Sequence, residues 1–101
     1  MKIAVASQKS EASSVGVQAG RSPYYLIYDE KKVLLESISN PFAVGGGGAG
    51  FGVAKMLADK GVDIIVAGKF GDKMEQAMAG RGMKHLEFDG TVSDALEAAL
   101  G

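Results

Sequence analysis

The groups of this chain best placed to do chemistry belong to the main chain rather than to side chains. Gly45, Gly46, Gly47, Gly48 and Gly50, with Ala49 among them, make a run of bare N–H groups. An apolar pattern of helical period follows at Val53, Met56 and Leu57. Four consecutive glycines cost much conformational entropy to order, so a folded chain that keeps them points to close backbone approach or positive φ. A glycine loop that runs into a helix N-terminus also suits an anion, because N–H groups and helix dipole both favour negative charge. On this stretch alone, a flexible surface connection is an equal alternative. Two cations sharpen the choice. Lys69 lies inside Gly68-Lys69-Phe70-Gly71, and Arg21 follows Gly20 just ahead of Pro23. Together with the glycine N–H groups they could complete an anion clamp.

What must position these groups is a set of alternating elements. Residues 3–7 read as a short buried strand, and residues 8–22 as a long polar loop of the kind that is often functional. Tyr24-Tyr25-Leu26-Ile27-Tyr28 is a β-prone run, Asp29-Glu30-Lys31-Lys32 a hairpin-length break, and residues 33–39 the return strand, closed by Asn40-Pro41. After the glycine run the rhythm turns helical. Val53, Met56 and Leu57 share a face, and Gly61 stands where a C-terminal glycine cap belongs. Residues 62–67 are nearly all apolar, as in a strand covered on both sides. Asp72 and Glu75 have capping-box spacing and open a helix that turns Met74, Ala77 and Met78 inward, ended by Gly80 and Gly82. Residues 83–88 form a weaker strand whose charges suit a sheet edge. Thr91 and Asp94 make another cap, before a stripe of Val92, Ala95, Leu96, Ala99 and Leu100.

The predicted order is βββαβαβα, an α/β domain with a five-stranded mixed sheet. The whole chain, residues 1–101, reads as a single domain. Each hairpin reverses the chain once, so strands one and three run parallel, and helical crossovers make strands four and five parallel to both. The loops after strands one, three and four therefore leave from the same sheet edge, where ligands of open α/β sheets bind. All the candidate groups converge on one crevice.

Several function classes fall away. A net charge of −1 gives no long-range attraction to nucleic acid or to an anionic membrane. Without cysteine there is no disulfide framework, Cys-ligated zinc site or thiolate-held cluster. The apolar start is too short for a signal peptide or a membrane span, so a cytoplasmic protein is expected. Gly45, Gly47 and Gly50 fit G-x-G-x-x-G, but strand four ends in Ala67-Gly68-Lys69 with no acid for a ribose, and no Gly-Lys-Ser/Thr follows. A nuclease would need clustered carboxylates, and the first strand has none. The sole histidine, His85, falls on the edge strand far from the loops, which leaves catalysis little support. There is no clear exposed apolar patch for an interaction domain.

Taken together, the opening Lys-Ile-Ala-Val-Ala-Ser, Gly20-Arg21-Ser22-Pro23-Tyr24-Tyr25, Asn40-Pro41, the glycine run, Ala67-Gly68…Gly71 and Gly90-Thr91-Val92 span nearly the whole chain. In that order they resemble the dinitrogenase iron–molybdenum cofactor biosynthesis family. The resemblance implies a ribonuclease-H-like, three-layer α/β/α fold without nuclease activity. It also implies binding or carriage of an iron–molybdenum or related iron–sulfur cluster cofactor or precursor, with cofactor-assembly proteins as partners. One position departs from the pattern: Gln18-Ala19 stands where the family commonly has His-Phe. An amide lacks the donor nitrogen of imidazole, so direct ligation of the metal would fall to His85, carboxylates or exogenous ligands. Recognition of an anionic cofactor would then use Gln18, Gly20, Arg21, the glycine run, Gly68, Lys69 and Gly71, with no metal ligand and no catalytic residue among them. The alternative is a module for a small oxyanion or nucleotide that needs no metal. On either reading the glycine run is expected to be mobile when empty and ordered by its ligand.

Overall fold

The structure is a computed structural model and describes residues 1–44 and 48–101. The β-branched and aromatic runs form β1 (Lys2–Ser7), β2 (Tyr24–Asp29) and β3 (Leu34–Ser39). The second half supplies α1 (Ala49–Asp59), β4 (Ile64–Ala67), α2 (Asp72–Ala79), β5 (Lys84–Glu87) and α3 (Val92–Leu100). The sheet has five strands in the order β3-β2-β1-β4-β5. β1 pairs antiparallel with β2 and β2 with β3, whereas β1–β4 and β4–β5 are parallel. This is the expected βββαβαβα α/β fold with its mixed sheet, and helices cover both faces.

The period-2 alternation of β1 divides the core. Ala4 and Ala6 face α1 and α2, joining Val53, Leu57, Met74 and Met78. Ile3 and Val5 face α3, joining Val66, Val92, Ala95 and Leu96. The small residues on one side let two helices approach the sheet, and the larger ones on the other meet a single helix. β3 is an edge strand with no helix over it, so Val33, Leu34 and Leu35 are exposed in succession. That apolar run is the kind of exposed patch not apparent from the sequence.

Helix ends follow the glycine and threonine signals, with one exception. Gly61 takes φ +79°, and the N–H groups of Gly61 and Val62 donate back to Ala58 and Leu57, a Schellman closure. Gly82 and Met83 repeat it against Ala79 and Met78. Thr91 caps α3 by accepting from the Asp94 N–H at 3.1 Å. The exception is α2, whose N-cap is Gly71 and not Asp72, with no side-chain cap bond. Asp72 is already the first helical residue, and the Glu75 carboxylate is drawn off to His85 Nε2 at 2.9 Å. The expected capping box does not form. Helix α1 also starts earlier than its apolar pattern, at Ala49, so Gly50 and Gly52 belong to its first turn. The space beside Gly52 holds the Phe42 ring, 2.5 Å from where a Cβ would stand.

Thr91→Ala removes the cap of α3 on the face away from α1 and α2. It should cost about 1 kcal/mol in urea-induced unfolding.

Candidate functional site

The long loop after β1 has more order than its polar sequence foretells. Isolated bridges tie Ser7 to Val15, Ser14 to Thr91 and Gln18 to Lys69. Its first half docks on the start of α3, where the Val92 N–H donates to the Ser13 carbonyl at 2.8 Å. Its second half runs beside the β4–α2 connection, where the Ala19 N–H donates to the Lys69 carbonyl at 2.9 Å. Gly68 makes this possible. A Cβ there would stand 2.7 Å from the Val17 carbonyl oxygen.

A crevice of about 530 Å³ opens at this sheet edge. The loop after β1 contributes Gln18, Gly20 and Arg21, the first turn of α1 contributes Gly48 and Gly50, and the β4–α2 connection contributes Lys69 and Gly71. Phe70, Asp72, Lys73 and Met74 also line it. Of the residues singled out from sequence, Gln18, Gly20, Arg21, Gly48, Gly50, Lys69 and Gly71 line this crevice together. Gly68 does not line the crevice and acts one step behind it, through the packing just described. Gly45, Gly46 and Gly47, and with them the expectation of mobility, lie outside the described residues.

The glycines divide by use. Gly48, at φ +85°, and Gly71 have no atom within 4 Å of a would-be Cβ and present open backbone. Gly20 and Gly50 serve close approach instead. A Cβ on Gly20 would lie 3.2 Å from the Gly50 nitrogen, and one on Gly50 would lie 2.8 Å from the Met74 Cβ. The loop, α1 and α2 are thus drawn together around the crevice floor.

Its electrostatics favour an anion. Both helices point their N-termini at the crevice, and neither N-cap makes a side-chain hydrogen bond. The first intrahelical donors are the N–H groups of Gly52 and Glu75, each bonded at 3.0 Å. The preceding N–H groups of both helices have no acceptor within their own helix. Each terminus adds roughly half a positive charge. Arg21, Lys69 and Lys73 face a single carboxylate, Asp72, among the described lining residues. Arg21 also donates from Nη1 to the Phe42 carbonyl at 3.0 Å. The Phe70 N–H is committed to the Glu87 carboxylate at 3.2 Å.

Carbonyl oxygens would spoil such a site, and a set of residues not singled out from sequence turns them away. Ser22 Oγ donates to the Gln18 carbonyl at 2.7 Å. The Tyr25 hydroxyl donates to the Ala19 carbonyl. Asn40 Nδ2 donates to the Gly20 and Ser22 carbonyls at 3.0 and 2.9 Å. Burial pushes the Tyr25 phenol far above its ordinary value, so it remains a donor. No short-range pattern could reveal these contacts; the only advance signal was that Ser22 and Asn40 are polar residues at strand boundaries.

Among the described residues, no three His, Cys, Asp or Glu side chains gather as a metal site. His85 is nearer than expected, because its ring lies 4.9 Å from that of Phe70, in the crevice wall. It pairs with Glu75 and does not line the crevice.

Three substitutions test this geometry. Gly68→Ala should lose about 1–3 kcal/mol in denaturant unfolding, because backbone must move. Gly71→Ala should stay within about 0.5 kcal/mol of the parent. In the alkaline range, the native state keeps the Tyr25 proton that the unfolded chain loses near pH ~10, so stability is full below that value and falls as pH rises past it. Tyr25→Phe should reduce that alkaline slope, leaving the share of Tyr28, which burial also raises.

Comparison with curated proteins finds no match. Solved structures match along the whole chain. The orange protein of Desulfovibrio gigas in its apo form superposes with a TM-score of 0.89 at 26% identity, over 98% of this chain and 86% of that one. A Thermotoga protein described as a candidate NifB protein reaches 0.81 at 30% identity, over 97% and 85%. A candidate dinitrogenase from Methanocaldococcus jannaschii shares the fold, with a TM-score of 0.65 at 14% identity over 99% and 88%. Residues 1–101 match the family model described as dinitrogenase iron–molybdenum cofactor, and the chain belongs to that family.

Proposed function

We propose that this chain binds a preassembled anionic metal cluster, an iron–molybdenum or related iron–sulfur cofactor or its precursor, and holds it as cargo during cofactor assembly. The observation that carries this reading is the convergence of two uncapped helix N-termini with Arg21, Lys69 and Lys73 in one crevice. Family membership and a structural relative solved in an apo form add support. The donor set decides how the cargo is held. The described lining has neither imidazole nor thiolate, and Arg21, Lys69 and the main-chain N–H groups are donors that suit sulfide, oxo or carboxylate atoms on the outside of a cluster. The cluster keeps its own ligands, and the protein supplies hydrogen bonds and charge around them. Gln18, Gly20, Gly48, Gly50 and Gly71 shape the cradle, and Gly68 supports it from behind. Cofactor-assembly proteins are the partners this role requires, and its chemistry calls on neither nucleic acid nor membrane.

A second reading takes the same crevice as the seat of a small oxyanion or nucleotide without metal. Gln18 favours it, because an amide offers hydrogen bonds to an oxyanion where imidazole would ligate iron.

Anaerobic equilibrium gel filtration of the chain with isolated iron–molybdenum cofactor, with metal content and visible absorption followed in the protein fraction, separates the two. Outer-sphere binding should leave the spectrum close to that of the free cluster, since no protein ligand replaces one of its own. Arg21→Ala should raise Kd about tenfold through loss of a charge-assisted contact. Added salt should weaken binding as the exposed lysines are screened. If the wild type takes up no cluster while molybdate or phosphate raises its melting temperature, the second reading replaces the first.

A further inference from the structure

Asn40 lies at the end of β3, only 6% exposed, with every polar group of its side chain engaged. Its Nδ2 donates to two carbonyls of the loop after β1, those of Gly20 and Ser22. Its Oδ1 accepts from the Phe42 N–H at 2.9 Å. Its own N–H donates to the Pro23 carbonyl at 2.8 Å, and its carbonyl accepts from the Ala43 N–H at 3.2 Å, which closes a turn with Pro41 at its second position. The carbonyl of Phe42 in that turn accepts Arg21 Nη1 at 3.0 Å.

We propose that Asn40 is a positioning residue for the ligand of the crevice, aiming Arg21 through the Phe42 peptide and turning the Gly20 and Ser22 carbonyls away from bound negative charge. This rests on the anion-binding reading above. The site asks for two donors and one acceptor on a short planar group, and among uncharged side chains of this length only asparagine offers that. Aspartate would set a carboxylate against two carbonyl oxygens, and alanine would leave those oxygens with one partner fewer in a part-buried place. With the clamp gone, the Gly20 carbonyl is free to rotate toward the crevice, where it repels the ligand. Phe42, no longer held by Oδ1, ceases to fix the guanidinium. The effect therefore reaches the ligand through Arg21 and Gly20, although Asn40 is not among the residues lining the crevice.

The test is a double-mutant cycle, read as Kd for isolated iron–molybdenum cofactor under anaerobic conditions, with melting temperature measured in parallel. Leu100→Ala, at the end of α3 away from the loop after β1 and partly buried against the core, is the control for a loss of stability unconnected with the crevice. Asn40→Asp and Asn40→Ala should each weaken binding about tenfold, while Leu100→Ala leaves Kd unchanged. In the Arg21→Ala background the same Asn40 substitutions should cost clearly less, because part of their effect runs through Arg21. Arg21→Lys approaches the relay from its other end and spares the Asn40 clamp. It keeps the charge but lacks the fork that spans Phe42 and ligand, so it should also weaken binding. Asn40 variants that bind like Leu100→Ala, or costs that simply add to that of Arg21→Ala, overturn the proposal. If both Asn40 variants fail to fold, wild-type affinity in Arg21→Lys overturns it instead. A wild type that binds neither the cofactor nor molybdate nor phosphate overturns the crevice reading, and this proposal with it.

Discussion

A main-chain anion site, as proposed for the crevice, has to dispose of its carbonyl oxygens, and the local structure answers that constraint. Every peptide that offers an N–H also carries an acceptor of opposite preference. In helices α1 and α2 the geometry disposes of it, since the carbonyls point down the axis and the N–H groups face forward. The loop after β1 has no such regularity. There the Gln18, Ala19, Gly20 and Ser22 carbonyls are each drawn to a side-chain donor, from Ser22, Tyr25 and Asn40. The burial of Tyr25 in the core links this loop to the packing beneath α1. Site and core are in this respect one construction.

The asymmetry of the two sheet faces has the same origin. α3 has a threonine cap and packs over large β-branched residues, a self-sufficient helix whose N-terminus needs no ligand. α1 and α2 begin at glycines and lack side-chain caps, and the proposed anion site draws on their forward N–H groups. Local helix stability is given up on one face and kept on the other.

Much of this was legible in the sequence, for reasons that also mark the limit. The apolar stripes of α2 and α3 and the continuous run of β4 carry their period openly, and strand directions followed from the element order with hairpin and crossover geometry. Convergence of the loops at one sheet edge followed from that order. The first turn of α1 was hidden because Ala49-Gly50-Phe51-Gly52 has almost no side chain with which to show a period. The cap of α2 was misplaced by one residue because Asp72 and Glu75 keep the right spacing in the wrong register. The clamp around residues 18–22 was invisible because Asn40 acts on partners eighteen and twenty residues away. Gly20, Gly50 and Gly68 looked like cradle glycines, yet each leaves room for another piece of backbone or for Met74. His85, set apart at the edge, touches the crevice wall through Phe70.

The contact of Gly50 with Met74 has a further consequence. It sets how near α1 and α2 can come, and so how far apart their two positive ends stand. The calibre of the opening is therefore fixed by one absent methyl group. A larger side chain at that position would act as a wedge between the helices. In the proposed site it would widen the gauge of anion that both ends could grip at once, with no change to any charged residue.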